Sequence, residues 1–281
     1  MARCLPAVRA EGILLKLKTK GDVRLTREDM FSLRGKVAVV TGGARGIGKT
    51  VGGHLAMMGA DVAIIDLLIE EAGETASQIA ADHKTTVRAY RCDVTSPGEV
   101  NATIEKIADD FGGLDVLFNN AGICQHKAAL DVTPDEWKTI YDVNVNGVFY
   151  MAQAFAKKLI SLGRGGSIIN TASMSGTIVN LPQEQASYNS SKAAVAHMTK
   201  SLAVEWARYG IRVNSLSPGY IFTEMTASVA KEMTDYWVSV TPFKRMGTPE
   251  ELSGAVIYLA SDCASYTSGC DLIADGCFTC T

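Results

Sequence analysis

Tyr188 and Lys192 stand four positions apart where a long helix-forming stretch opens, one that runs to about Arg208. That spacing puts both side chains on one helical face, one turn apart. A phenol is a poor proton carrier near neutrality, with an ordinary pKa of about 10. A neighbouring ammonium, joined by a second cation, favours the phenolate and brings it into the working range of a general acid or base. On its own Y-x-x-x-K is weak evidence, because both residues recur in helices by chance.

A second constellation sits near the beginning of the regular part of the chain. Gly42, Gly46 and Gly48, with Arg45 and Ile47 among them, follow the apolar run VAVV (37–40) and lead into helical sequence. Glycines there let a strand turn tightly into a helix, so that a pyrophosphate can lie against free N–H groups and the positive helix end. The spacing G-x-x-x-G-x-G meets the dinucleotide fingerprint in its logic rather than its letters. Asp66 ends the next apolar run, 18 residues after Gly48. A carboxylate at that offset accepts from both ribose hydroxyls of NAD and repels the extra phosphate of NADP, so NAD is expected ahead of NADP. Arg45 is the one cation nearby that could tolerate that phosphate.

These groups need a frame. Short apolar runs recur at 37–40, 61–66, 86–90, 114–118, 166–170, 211–216 and 271–274, bounded by Gly, Asp or Asn and separated by helical segments. Each is too short for a helix, and strands alternating with helices imply parallel pairing with right-handed crossovers. Ser96-Pro97-Gly98-Glu99, Thr133-Pro134-Asp135-Glu136 and Thr248-Pro249-Glu250-Glu251 each predict a helix start, with a cap hydroxyl, a proline and a glutamate three residues on. The expected fold is α/β: a single doubly wound Rossmann-type domain over 31–281, with a parallel sheet of about seven strands and helices on both faces.

Composition sets the outer limits. Of 281 residues, 47% are apolar and 20% charged, with a net charge of −3. That is a globular balance with no basic face, so nucleic acid and anionic membrane are not expected as partners. No apolar stretch approaches a bilayer span. The seven cysteines are odd in number and scattered. This favours free thiols in a reducing, cytoplasmic setting, and the Cys277–Cys280 pair reads as small buried residues after a strand rather than a metal site. Residues 1–30 differ from the rest, being rich in Arg and Lys, with Ile13, Leu15 and Leu17 alternating with lysines. A half-buried strand, a mobile extension and an organellar leader all fit, although Glu11 and Asp22 count against the leader.

Taken together, TGGARGIG (41–48), Asp66, CDV (92–94), NNAG (119–122), NVNG (144–147), INTAS (169–173), YNSSK (188–192) and SPG (217–219) resemble the short-chain dehydrogenase/reductase family, in that family's order, over about 33–276. The resemblance implies hydride transfer between a nicotinamide and a secondary alcohol or ketone, a substrate lobe over about 220–248, and a homodimer or homotetramer. It assigns Tyr188 as acid/base, Lys192 to the ribose and the tyrosine pKa, Ser173 to the substrate oxygen, and Asn144 to a proton-relaying water. Asp93 and Val94 would meet the adenine, Asn120 and Gly122 the adenosine side, and Pro218, Gly219, Ile221 and Thr223 the carboxamide.

The stretch 173–195 further resembles the members acting on sugar alcohols and ketoses. With Ser173 and Tyr188 15 residues apart, the intervening loop is slightly long and polar. Gln183 and Gln185, with Glu184, are the expected substrate contacts, and His126 and Asn180 stand near them. Asp275-Gly276-Cys277 departs from the two glycines that often end the family's last strand. A general carbonyl reductase for bulkier apolar ketones and a catalytically silent nucleotide sensor are the competing readings.

Overall fold

A computed structural model describes residues 30–281, so the expected extension lies, but for Met30, outside the described residues. Seven strands are present: β1 (Val37–Thr41), β2 (Asp61–Asp66), β3 (Val87–Arg91), β4 (Val116–Asn119), β5 (Gly166–Thr171), β6 (Ile211–Pro218) and β7 (Asp271–Ala274). Each falls within two residues of the apolar run that predicts it. They form one parallel sheet in the order β3-β2-β1-β4-β5-β6-β7. The chain runs outward from β1 to β3, returns to the middle at β4, and then runs outward the other way. That reversal opens a crevice at the carboxyl ends of β1 and β4, where sheets of this kind hold ligands.

Helices cover both faces: α1 (Gly46–Met57), α2 (Ile69–His83), α3 (Pro97–Phe111), α4 (Pro134–Tyr141), α5 (Val148–Ser161), α6 (Ala186–Trp206), α7 (Glu224–Ala227), α8 (Lys231–Val240) and α9 (Pro249–Ala260). Strand residues alternate between two cores. Val39, Ile65 and Leu117 pack with Ile104, Phe155 and Leu202 of α3, α5 and α6. Val40, Ile64 and Phe118 pack with Leu55, Ile79 and Val256 of α1, α2 and α9. A sheet buried on both sides needs strands that are apolar throughout, which is why these runs show no polar alternation.

The three marked helix starts are present. Thr133 Oγ1 accepts from Glu136 N at 3.2 Å, and the Glu136 carboxylate accepts from Thr133 N at 2.8 Å. The Glu251 carboxylate accepts from Thr248 N at 3.0 Å. At α3, Ser96 Oγ accepts from Glu99 N at 3.4 Å, but Glu99 reaches back past the cap to Asp93 N at 3.1 Å. Each cap is worth about 1 kcal/mol. Between α4 and α5 the backbone widens to a π-helical turn, Asp142–Gly147, which carries Asn144. Such turns insert an extra residue and re-aim its side chain.

One sequence expectation is corrected at the C-terminus. Cys277 and Cys280 are exposed, not buried, because the chain leaves β7 through a short 3₁₀ turn on the surface, and Cys270, just before β7, is exposed as well. No group of metal-ligating side chains forms among the described residues. Nor is any described helix long and apolar enough to cross a membrane.

The turn from β1 into α1 is the tightest point of the fold. A Cβ on Gly48 would lie 2.1 Å from the Gly42 carbonyl oxygen and 2.9 Å from Asn120 Nδ2. Gly48→Ala therefore has to push the loop off the strand ends. It is expected to cost about 1–3 kcal/mol in urea unfolding, the range for forced overpacking, and to weaken dinucleotide binding at least tenfold by fluorescence titration.

Candidate active site

The glycine-rich turn is held from three sides. Thr41 Oγ1 accepts from both Asn120 N and Ala121 N at 2.9 Å, tying the end of β1 to the loop after β4. Asn120 Nδ2 donates to the Thr41 and Gly42 carbonyls at 3.2 and 3.3 Å. Asp66 Oδ2 accepts from Ala44 N at 3.0 Å, while Oδ1 accepts from Leu68 N at 3.1 Å. Asp66 thus braces the turn and caps the start of α2 at once. The first turn of α1 carries no acidic side chain, and Arg45 at its cap makes no side-chain hydrogen bond to it. Its N–H groups are left for an anion.

The remaining cofactor-side expectations fall around the same crevice. Asp93 follows β3, with Oδ1 accepting from Thr95 N at 2.9 Å and Thr95 Oγ1 at 2.7 Å. Val94 is buried, and a Cβ on Gly147 would come within 2.9 Å of its Cγ2. Ile47, Pro218, Gly219, Ile221 and Thr223 border the cavity that also holds Ser173 and Tyr188. Thr223 caps α7 by accepting from Thr226 N at 3.4 Å.

Tyr188 and Lys192 leave the first turns of α6 toward the end of β5. Lys192 is only 3% exposed, and its Nζ donates to the Thr171 carbonyl at 2.8 Å and lies 5.6 Å from the centre of the Tyr188 ring. Burial disfavours the ammonium and pulls its pKa down to about 8. In the free chain its positive charge is therefore full below that pH and fades above it, unlike an ordinary lysine. Ser173, two residues past β5, accepts from Ser175 N at 3.1 Å and hydrogen-bonds the Tyr188 phenol.

The expected lowering of the Tyr188 pKa by Lys192 is not realised by the chain alone. Burial dominates and raises it, the Cys124 thiol adds in the same direction, and the Ser173 hydrogen bond is the opposing contribution. Desolvation outweighs the neighbour because the ammonium, itself weakened, points at a backbone carbonyl rather than at the phenolic oxygen.

Asn144 is fully buried. Its Oδ1 accepts from Ile123 N and its Nδ2 donates to the Ile123 carbonyl, both at 2.9 Å, with Ser191 Oγ a further acceptor at 3.1 Å. The π turn is what turns this amide inward between the loop after β4 and α6. A Cβ on Gly122 would lie 3.3 Å from Asn144 Oδ1 and 3.4 Å from Lys192 Nζ, which places that glycine between the two.

A cavity of about 390 Å³ opens against Ser173 and Tyr188. Its far wall is aromatic and polar. Tyr220 stacks on Trp237, centres 4.3 Å apart and planes 8° from parallel, and the edge of Phe278 meets Tyr220 at 5.4 Å. His126 meets Trp237 edge-on at 6.4 Å, and partial burial lowers its pKa against the hydrogen bond its ring donates to Gln185, which raises it.

Gln183 and Gln185 both line this cavity, and both are also tied into its wall. Gln183 Nε2 donates to Tyr220 Oη at 2.9 Å and its Oε1 accepts from Trp237 Nε1 at 3.0 Å. Gln185 Nε2 is shared among Ser175 Oγ, Asn180 Oδ1 and Asn189 Oδ1. These bonds brace the wall, and the place of both side chains in the cavity lining keeps them candidate substrate contacts. Glu184 is exposed and turned away from the cavity. Sequence reading missed Tyr220 and Trp237. Tyr220 had a signal, since it follows SPG directly; Trp237, on a separate helix, had none.

Comparison with known proteins gives the site a lineage. The family model described as enoyl-(acyl carrier protein) reductase matches residues 42–279. A sorbose reductase of Candida albicans is 45% identical over 254 residues, 90% of this chain and 90% of that protein. A probable NADP-dependent mannitol dehydrogenase of Yarrowia lipolytica is 42% identical over 254 residues, again 90% of each. The crystal structure of a short-chain type dehydrogenase/reductase from Mycobacterium marinum superposes with a TM-score of 0.86 at 44% identity, covering 90% of this chain and 99% of that one. The chain belongs to the short-chain dehydrogenase/reductase family, and it is an oxidoreductase with a nicotinamide-binding fold.

Proposed function

We propose that this enzyme interconverts a polyol and its ketose, moving a hydride at a secondary carbon next to a terminal hydroxymethyl group, with NAD preferred to NADP. The observation that carries the reading is one cavity in which Ser173 and Tyr188 face a wall of hydrogen-bonding side chains. Likeness to a reductase named for sorbose and a dehydrogenase named for mannitol supports it.

The residues present fit a nicotinamide dinucleotide: the turn at Gly48 has no room for a side chain, and the first-turn N–H groups of α1 are left for an anion. When bound, the cofactor supplies the hydride acceptor or donor. Ser173 holds the substrate oxygen by a hydrogen bond. Tyr188 takes the hydroxyl proton during oxidation and returns it during reduction. Lys192 has two N–H donors beyond the one given to Thr171, suited to ribose hydroxyls. Asn144 keeps the loop at Ile123 and Ser191 in register behind it.

Tyr188→Phe is expected to abolish turnover, by at least about a thousandfold in kcat given the usual weight of acid–base catalysis, with dinucleotide affinity within a few-fold of the parent. Lys192→Ala is expected to damage both. Single-turnover absorbance at 340 nm and a fluorescence titration separate the two; near-parental kcat in Tyr188→Phe means another group handles the proton.

The NAD preference rests on Asp66. Its carboxylate is held at the strand end by two backbone N–H groups, and a carboxylate there opposes a 2′-phosphate. Arg45 is exposed and makes no ion pair among the described residues, so it is the residue that would accommodate NADP. Asp66→Ser is expected to lower kcat/KM with NAD, partly through the loosened turn, and to shift the NADP/NAD ratio upward at least tenfold. A parent enzyme already as efficient with NADP reverses the cofactor assignment.

The substrate class is tested by kcat/KM for pentitols, hexitols and their ketoses against aryl and cyclic ketones, run with both cofactors. Sugars and polyols are expected to be the better substrates. Good turnover of aryl or cyclic ketones with none of any sugar moves the assignment to a general carbonyl reductase.

A further inference from the structure

The cavity wall contains one phenol whose proton is directed by its neighbours. Trp237 Nε1 can only donate, and it lies 3.0 Å from Gln183 Oε1. That fixes the Gln183 amide and leaves its Nε2 donating to Tyr220 Oη at 2.9 Å. Asn180 Nδ2 donates to the same oxygen at 3.2 Å, its own Oδ1 being the acceptor for Gln185 Nε2 at 3.3 Å. Two N–H groups therefore converge on the Tyr220 oxygen and take its lone pairs. What the hydroxyl has left is its proton, and no acceptor for it stands among the described residues.

The ring cannot swing to find one. It is clamped face-on by Trp237 and edge-on by Phe278. Burial raises the phenol's pKa against the two lowering hydrogen bonds, so the proton stays in place near neutrality. Tyr220, Asn180, Gln183 and Trp237 border the same cavity as Ser173 and Tyr188.

Resting on the polyol–ketose reading above, we propose that Tyr220 is a specificity-determining residue whose O–H donates to a substrate oxygen away from the reacting carbon. Gln183 and Asn180 are positioning residues that act through it, by keeping the proton turned into the cavity. A substrate lacking an oxygen at that point leaves a desolvated donor unpaired, which is how a polar site rejects apolar analogues.

The test compares kcat/KM for ribulose and for 2-pentanone in the parent, Tyr220→Phe and Gln183→Glu. Tyr220→Phe keeps the stacked ring and removes the donor; the ribulose/2-pentanone ratio is expected to fall about tenfold, the size of one matched hydrogen bond. In Gln183→Glu a carboxylate accepts from both Trp237 Nε1 and the phenol, turning the proton away from the cavity. The same fall is then expected with the phenol still in place, and a purely structural role for Tyr220 predicts equal losses on both substrates and an unchanged ratio. A parent that reduces ribulose while both variants keep its ratio overturns the Tyr220 assignment and leaves the substrate reading standing. A parent that reduces 2-pentanone and no ketose sinks the substrate reading, and the Tyr220 assignment with it.

Discussion

Everything at this site depends on how closely the turn after β1 lies against the loop after β4. Gly48 passes so near the Gly42 carbonyl that no side-chain atom fits between them. The Thr41 hydroxyl and the Asn120 amide hold the two strand ends together at that point. Glycine removes the steric obstacle, and the hydrogen bonds make the approach favourable. Parallel strands end their ladders with unpaired backbone groups, so polar side chains at the ends have to supply the missing partners. Thr41, Asn120 and Asp66 do so here, and the crevice at the reversal of strand order keeps its shape as a result.

The buried lysine is the second demand on the fold. Removing an ammonium from water is costly unless it is hydrogen-bonded, and its lowered pKa records that cost. One donor is satisfied by the Thr171 carbonyl, just where β5 ends and its ladder stops. The π turn at Asn144 completes the surroundings by stapling the loop at Ile123 to α6. A regular helix through 142–147 would rotate that amide out of line, so the irregular turn and the buried lysine belong to one arrangement. Without the cofactor the site holds Tyr188 protonated, since desolvation outweighs the opposing Ser173 hydrogen bond.

The substrate wall follows a different logic. Its polar groups are arranged as a chain of donors and acceptors running from Trp237 through Gln183 to Tyr220, and from Gln185 through Asn180 to the same phenol. Each amide is used at both ends. A network satisfied in that way is rigid, which fixes the position of whatever donor it leaves over. Phe278 joins it from the C-terminal turn, so the tail after β7 supports the Tyr220 ring with an aromatic edge.

The sequence by itself determined the alternation of strands and helices, the strand boundaries to within two residues, and the helix starts at Ser96, Thr133 and Thr248. It also placed Tyr188 and Lys192 on one helical face, and set Asp66 behind the glycine turn. These follow from chemistry over a few residues: apolar runs bounded by turn formers, caps, and the period of a helix. Tertiary structure decided what local spacing cannot encode. It buried Lys192 and Tyr188 enough for desolvation to set their proton affinities, and it widened the backbone at Asn144. It tied Gln183 and Gln185 into the wall beside Tyr220, and it left Cys277 and Cys280 on the surface. Each of these outcomes depends on which distant segments meet: α8 bringing Trp237 to the loop after β5, or the turn after β7 bringing Phe278 to Tyr220. An amide's free end, or a phenol's proton, is assigned only when those partners are in place.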